Sequence, residues 1–387
     1  MMNKLFLVVS FLLLNAVAWS QGYLRLQIPV NNGELKILAD QGVAVDHGIF
    51  KEEKYFISDF SYAEKAIMDQ NGIAYEILIA DIEQYYEDLL NQPEKPIETE
   101  TEKNTSCSNT NNANPWANPA TPSHFNLGTM GGYLKYEELL AELDEMAALY
   151  PNLITVKAPI SNFLTFENRP IYHVKISDNP GQDEAGEPKV LYTAIHHARE
   201  PMSLMETVFF MWYLLDNYQV NPEIQYIVNH MQLYFVPCIN PDGYVYNQTT
   251  NPNGGGMWRK NRRLNSGGSY GVDLNRNYSY GWGTTGTSFS QSNDTYCGTA
   301  PFSEPETQAM RWLVQNNHFI TAFNAHTYAE DILFPIGTTN AEFADHHDYF
   351  QTCTNHMVEY NGYSAIKSSG LYPASGDSDD YMYKLDI

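Results

Sequence analysis

Residues 190–201 read VLYTAIHHAREP, a stretch in which an apolar run of strand length leads directly into metal-binding side chains. Open α/β sheets place their ligands at the carboxyl ends of strands, which is where His196, His197 and Glu200 follow the run at 190–195. Groups three or four positions apart can converge on one ion if the segment turns helically, and zinc accepts imidazole and carboxylate ligands. Spacing alone leaves two pairs open, His196 with Glu200 or His197 with Glu200.

A third ligand must come from elsewhere in the chain, because a catalytic zinc ion takes three protein ligands and keeps one open position. His326 is the best candidate. It follows the apolar run at 319–325, so it also stands at the end of a predicted strand.

Helical and strand-like patterns alternate around these residues. Helices are predicted at 136–150 and 203–217, and a third runs to 316 after a capping-box pattern at 303–306; strands are predicted at 171–176, 190–195, 233–237 and 319–325. Helices interleaved with apolar strands indicate an α/β domain in which helices cover a largely buried sheet.

The N-terminal part of the chain divides into three predicted segments. Residues 1–20 have a basic start, an apolar run and small residues at the end, which is typical of a signal peptide. Residues 21–92 show the order βαββαβ of a small α+β domain, with helices at 34–40 and 62–70. Residues 93–124 are rich in Pro, Asn, Thr, Glu and Ser and are predicted to be a flexible linker.

Composition limits the partners and the location. The 387 residues have a formal net charge of −24, which disfavours nucleic acid as a partner through long-range repulsion. The signal peptide predicts export to the periplasm or the extracellular space, with no membrane span once it is removed.

Five motifs together resemble the zinc carboxypeptidases of the A and B family, and they occur in the family's order. They are HARE at 197–200, NPDG at 240–243, MWRKNR at 257–262, GVDLNRN at 271–277 and AHTY at 325–328. The resemblance implies a mixed eight-stranded-type sheet flanked by helices in residues 125–387, preceded by the small α+β pro-domain. It also selects His197 over His196 and implies one zinc ion on His197, Glu200 and His326.

The resemblance further implies a role for each remaining motif residue. Asp273 would accept a hydrogen bond from His197, and Arg259 would stabilise the oxyanion. Substrate contacts would come from Arg199, Asn275 and Arg276, Tyr372 would close over the bound peptide, and Asp379 would lie at the floor of the specificity pocket.

These roles imply a secreted enzyme that hydrolyses the C-terminal peptide bond of peptides and proteins and prefers a C-terminal Lys or Arg. An activating protease would cleave the linker and release the pro-domain. Alternatives are an amidase or cell-wall peptidase on the same scaffold, or a non-catalytic relative that binds zinc or peptides.

The last residues of the sequence decide whether the family's general base lies within this chain. The family's general base is a glutamate downstream of Ile387, and residues 381–387 form a strand-like run without a terminator. We therefore expect the chain to be part of a longer protein.

Overall fold

The computed structural model describes residues 22–31, 33–51, 53–90 and 119–386. The predicted signal peptide and most of the predicted linker lie outside the described residues. Of the helices in the described ranges, none combines the length and the apolar character that crossing a bilayer requires.

Residues 22–90, here called the N-terminal unit, form an antiparallel sheet of strand order β2-β3-β1-β4. Its elements are β1 (Tyr23–Pro29), α1 (Glu34–Asp40), β2 (Ile49–Lys51), β3 (Tyr55–Ser61), α2 (Tyr62–Asn71), β4 (Glu76–Ile79) and α3 (Ile82–Leu90). Ser61 and Glu64 form a capping box that starts α2, and Gly72 ends it in the left-handed conformation at φ 67°. The observed order is the predicted βαββαβ order, followed by α3.

Residues 119–386, here called the large unit, form a mixed sheet of order β5-β6-β8-β7-β9 and a two-stranded parallel sheet β10-β11. The strands are β5 (Ala158–Leu164), β6 (Pro170–Ile176), β7 (Lys189–Ala194), β8 (Gln232–Val236), β9 (Thr321–Ala325), β10 (Asp331–Phe334) and β11 (Ser364–Lys367). The helices are α4 (Tyr136–Leu149), α5 (Pro201–Asn217), α6 (Pro222–His230), α7 (Pro241–Thr250), α8 (Pro305–Asn317), α9 (His347–Met357), α10 (Ser368–Leu371) and α11 (Ser378–Tyr381). Within the described residues the main sheet has five strands, fewer than the eight-stranded type that the resemblance implies.

The main sheet is buried on both faces, as the apolar runs predict. Val190 and Leu233 pack in one core cluster with residues of α4 and α5, whereas their neighbours Leu191 and Tyr234 pack in a second cluster with residues of α8. Each such side chain contributes roughly 1.5–3 kcal/mol when fully buried. The two core clusters fix β7 and β8 at the centre of a three-layer arrangement.

Strand β7 lies between β8 and β9 and runs parallel to both. The β7–β9 register pairs Val190 with Thr321 and Ala194 with Ala325. The residues that follow these two strands therefore emerge side by side at the same edge of the sheet.

Two local predictions are wrong. Helix α8 begins at Pro305 with Glu304 as its N-cap residue, and no side chain caps it, so the capping box expected at 303–306 does not form. Residues 378–386 are helical rather than strand-like, because Asp377 accepts a hydrogen bond from the amide of Asp380 and starts a helix there.

A buried acidic pair lies at the start of α8. Asn261 Nδ2 donates to Glu304 Oε2 at 2.9 Å and to Glu306 Oε2 at 3.2 Å, and Arg263 Nη1 donates to Glu304 Oε1 at 2.6 Å. Glu306 lacks a cationic partner of its own among the described residues. Burial, reinforced by the charge of Glu304, raises the pKa of Glu306 from 4.5 to about 8.

The raised pKa predicts that folding stability falls as pH increases, because the folded chain holds the Glu306 proton more tightly than the unfolded chain. This contribution is fully present below about pH 4.5 and is lost by about pH 8, at up to about 1.4 kcal/mol per pH unit. Glu306→Gln should flatten the free energy of unfolding across this range, measured by urea denaturation at several pH values. The exposed Glu145→Gln on α4 is the control; equal slopes for Glu306→Gln and the parent would contradict the prediction.

Candidate metal centre

His197, Glu200 and His326 converge at the edge of the sheet where β7 and β9 end. Their ligand atoms all lie within 4.8 Å of one another. His197 Nδ1 is 2.7 Å from Glu200 Oε1, and His326 Nδ1 is 2.8 Å from Glu200 Oε2. Burial alone would raise the pKa of Glu200, but the two imidazoles hold it well below its usual range. We call these three residues the His–Glu–His cluster.

Local structure explains how a short sequence brings two of these groups together. Ile195 follows β7 with φ 55°, a left-handed conformation that is uncommon for a β-branched residue, and so turns the chain away from the strand direction. Glu200 is the N-cap residue of α5, whose first position is Pro201. The turn between β7 and α5 thus presents His197 and Glu200 on the same side, and the β7–β9 register adds His326.

Asp273 contacts His197 of the cluster, and Arg259 in turn contacts Asp273. Asp273 Oδ1 lies 3.2 Å from His197 Nε2, which leaves His197 Nδ1 directed at the cluster. Arg259 Nε and Nη2 donate to Asp273 Oδ2 at 3.1 and 2.8 Å. A carboxylate on the second nitrogen of a ligand histidine orients the ring and increases its basicity.

Two imidazoles and one carboxylate fit a zinc ion, and the His–Glu–His cluster supplies them close together, with His197 and Glu200 buried and His326 partly exposed. A second acidic group, formed by Asp178, Glu184 and Glu187, offers only carboxylates and is partly exposed. It lacks the imidazoles that zinc favours.

The predicted carboxylate-binding residues lie next to the cluster. Arg276 is held by the carbonyl oxygens of Gly286 and Asn275, to which its Nε and Nη1 donate at 3.0 and 2.6 Å. Asn275 Oδ1 accepts from the amide of Ser378 at 2.9 Å, and its Nδ2 is 3.5 Å from His326 Nε2. These contacts fix the orientation of both side chains before any ligand is bound.

The two predicted residues of the C-terminal region also lie nearby, with Tyr372 buried and Asp379 partly buried. The hydroxyl of Tyr372 accepts a hydrogen bond from Arg276 Nη2, and Asp379 accepts one from Asn324 Nδ2. Burial raises the pKa of the Asp379 carboxyl, and the same cause raises that of neighbouring Asp377 well above its ordinary value. Burial thus disfavours the charged form of both carboxyl groups.

Sequence reasoning missed two residues of the N-terminal unit that enter this site. Asp46 accepts from Arg259 Nη1 at 2.9 Å and from Arg276 Nη2 at 2.9 Å, and His47 Nε2 accepts from Arg199 Nη2 at 3.1 Å. Asp46 lies 213 positions from Arg259, and no motif marks it. Only the packing of the two units brings these groups together.

Comparisons with known proteins agree with the geometry. A family model described as zinc carboxypeptidase matches residues 139–387. Carboxypeptidase O of Bos taurus is 30% identical over 285 residues, covering 70% of this chain and 71% of the relative. Carboxypeptidase A2 of Rattus norvegicus is 30% identical over 333 residues, covering 84% and 72%. The crystal structure of carboxypeptidase A from Helicoverpa armigera shares the fold, with a TM-score of 0.72, 22% identity and coverage of 95% and 87%.

The cluster predicts that zinc stabilises the folded protein and that this effect depends on His326. A ligand at about a thousand times its Kd adds about 4 kcal/mol to the free energy of unfolding. We expect zinc to raise the Tm of the metal-free parent, and His326→Ala to lose most of that increase. His230→Ala, on the exposed end of α6, is the matched control. A zinc-induced Tm increase that survives His326→Ala unchanged would show that the ion binds elsewhere.

Proposed function

The chain belongs to the zinc carboxypeptidase family, and from this premise we propose that it is an exported enzyme that removes a C-terminal Lys or Arg from peptides and proteins. The family uses one catalytic zinc ion, and the His–Glu–His cluster provides its ligands in this proposal. The observation that supports the proposal best is the proximity of that cluster to the buried arginines Arg259 and Arg276 and to the carboxyl group of Asp379.

The cluster and Arg259 would stabilise charge in the reaction. A zinc ion held there would polarise the scissile carbonyl and lower the pKa of the water bound to it. Arg259 is preorganised by Asp273, so its guanidinium can donate to the carbonyl oxygen as negative charge develops. The resemblance implies a glutamate as the proton acceptor, which would take a proton from the attacking water.

Asn275 and Arg276 would bind the terminal carboxylate of the substrate. Arg276 has two of its nitrogens fixed by backbone carbonyls and presents Nη2 to the site, where it now contacts Asp46 and Tyr372. A guanidinium held in this way favours a carboxylate ligand. This arrangement favours a carboxypeptidase over an amidase, and Arg199 would contact the peptide further from its C-terminus.

Asp379 would determine the preference for a basic C-terminal residue. Its carboxyl group is close to Asn324, and burial makes an unpaired negative charge there unfavourable. A Lys or Arg side chain in the pocket would supply the missing cation and shift Asp379 towards its ionised form.

Replacing Asp379 by Ser should therefore change the substrate preference. Removing one partner of a buried charge pair costs about 2–5 kcal/mol, so kcat/KM for a C-terminal Arg substrate should fall at least ~30-fold. The rate for a C-terminal Phe substrate should be unchanged or higher. Asp183→Ser, in an exposed loop, is the control. Faster turnover of Phe than of Arg by the parent would refute the proposed preference.

We further propose that residues 21–92 are an inhibitory pro-segment, released when a protease cleaves the linker. Asp46 contacts Arg259 and Arg276 together, at the position proposed for the reacting carbonyl and the terminal carboxylate of a substrate. Burial would raise the pKa of Asp46, but the two arginines hold it well below its usual range, so the carboxylate stays charged.

Apolar packing would hold the same segment on the site. Leu371 and Tyr372 belong to the buried core cluster of the N-terminal unit, together with Leu26 and Phe56. Tyr372 could not close over a substrate while it is packed in this way. The segment would therefore block the two arginines and also hold Tyr372 away from a substrate.

The inhibitory role predicts that Asp46→Asn activates the intact precursor. The variant loses the charge that pairs with the two arginines, so the uncleaved protein should turn over a C-terminal Arg substrate faster than the uncleaved parent. After cleavage in the linker, both proteins should have the same rate. Asp40→Asn, whose partner Lys36 is exposed, is the control. An intact parent that is already as fast as its trimmed form would rule out inhibition by this segment.

A further inference from the structure

His196 is buried beside the His–Glu–His cluster although it is not one of its members. The side chain is fully inaccessible to solvent, and its ring is stacked on the ring of His326 at a centroid distance of 5.5 Å and an interplanar angle of 16°. The ring is therefore parallel to that of a proposed zinc ligand.

A hydrogen bond fixes the ring of His196 from the other side. His196 Nε2 lies 2.9 Å from the hydroxyl oxygen of Tyr278, which is also fully buried. Tyr278 packs against Phe302 and Tyr381, so it is itself held by the core. The hydrogen bond leaves only Nδ1 of His196 free, and the converging ligand atoms of His197, Glu200 and His326 do not include an atom of His196.

The histidine at this position has an energetic cost. Among the described residues, His196 Nδ1 has no hydrogen-bond partner. A buried polar atom without a partner is unfavourable, and a phenylalanine would fill the same space without that atom. A role in addition to packing would explain why the ring is an imidazole that bonds to Tyr278.

The two ligand histidines differ in how they are supported. His197 has the carboxylate of Asp273 at 3.2 Å from its Nε2, whereas Nε2 of His326 has only the amide nitrogen of Asn275 at 3.5 Å. The His326 side chain is also 26% exposed, compared with 2% for His197. His326 thus lacks the close polar partner that normally orients a metal-binding imidazole.

We propose that His196 is a positioning residue for the metal centre, in which Tyr278 holds His196 and the stacked ring of His196 sets the plane of His326. The inference rests on the proposed ligand role of His326. Stacking on His196 would orient His326, as the carboxylate of Asp273 orients His197.

The test compares five variants of the full chain, prepared metal-free and titrated with zinc against a chromophoric chelator. His196→Leu removes the stacked ring and should weaken zinc binding about 10-fold or more, within the range observed when groups that orient a metal ligand are lost. Tyr278→Phe, which keeps the ring packed, should weaken zinc binding by a smaller factor than His196→Leu does. His196→Phe keeps the stack and should weaken it less than His196→Leu does. His173→Leu is the matched control, because His173 also stacks on an aromatic ring, Tyr234, away from the site.

Cobalt substitution gives a readout that a general loss of stability would not change. The visible absorption bands of bound Co²⁺ depend on ligand geometry, so they should shift in His196→Leu and in Tyr278→Phe but not in His173→Leu. Parent-like zinc affinity and cobalt bands in His196→Leu would overturn the proposal. If His196→Leu does not fold by circular dichroism, parent-like values in Tyr278→Phe would overturn it. Parent-like zinc affinity in His326→Ala would instead overturn the ligand assignment itself.

Discussion

The parallel pairing of β7 with β9 is the constraint on which the rest of the site depends. Their register sets Ala194 opposite Ala325, so the segments that follow each strand begin at the same height on the sheet. His197 and Glu200 come from one segment and His326 from the other, and their ligand atoms meet within 4.8 Å. A shift of one residue in this register would turn the side chains of β9 to the opposite face of the sheet and separate the three side chains of the cluster.

Charge compensation in the interior links folding to function. The side chains of Arg259 and Arg276 are almost completely buried, and Asp273 and Asp46 compensate their charges at hydrogen-bond distance. A buried charge without a partner costs several kcal/mol, so both arginines require an anionic neighbour. Asp273 belongs to the large unit, whereas Asp46 is supplied by the N-terminal unit. Arg276, which is proposed to bind the substrate carboxylate, is thus occupied by a carboxylate of the chain itself.

Backbone strain lies next to the His–Glu–His cluster. A left-handed conformation at a non-glycine residue costs about 1–2 kcal/mol, and Ile195 adopts one at φ 55°. Ile195 is fully buried in a core cluster with residues of α5, and that burial offsets the cost. The turn it produces places His196 beside Tyr278 and His197 beside Asp273. Two adjacent histidines thereby come to have different surroundings.

The sequence by itself determined the α/β class, the helix at Glu34–Asp40 and the residue types of the His–Glu–His cluster. It also predicted the bounds of the central strand β7 to within one residue at each end. These features follow from local periodicity and from motifs of a few residues, which each segment contains in full. Tertiary structure decided the contacts of Asp46 with the two arginines and the stacking of His196 on His326. Those outcomes depend on strand register, on burial and on charges more than a hundred positions apart. Their free energies arise only when distant segments pack together, and for that reason no local pattern in the sequence encodes them.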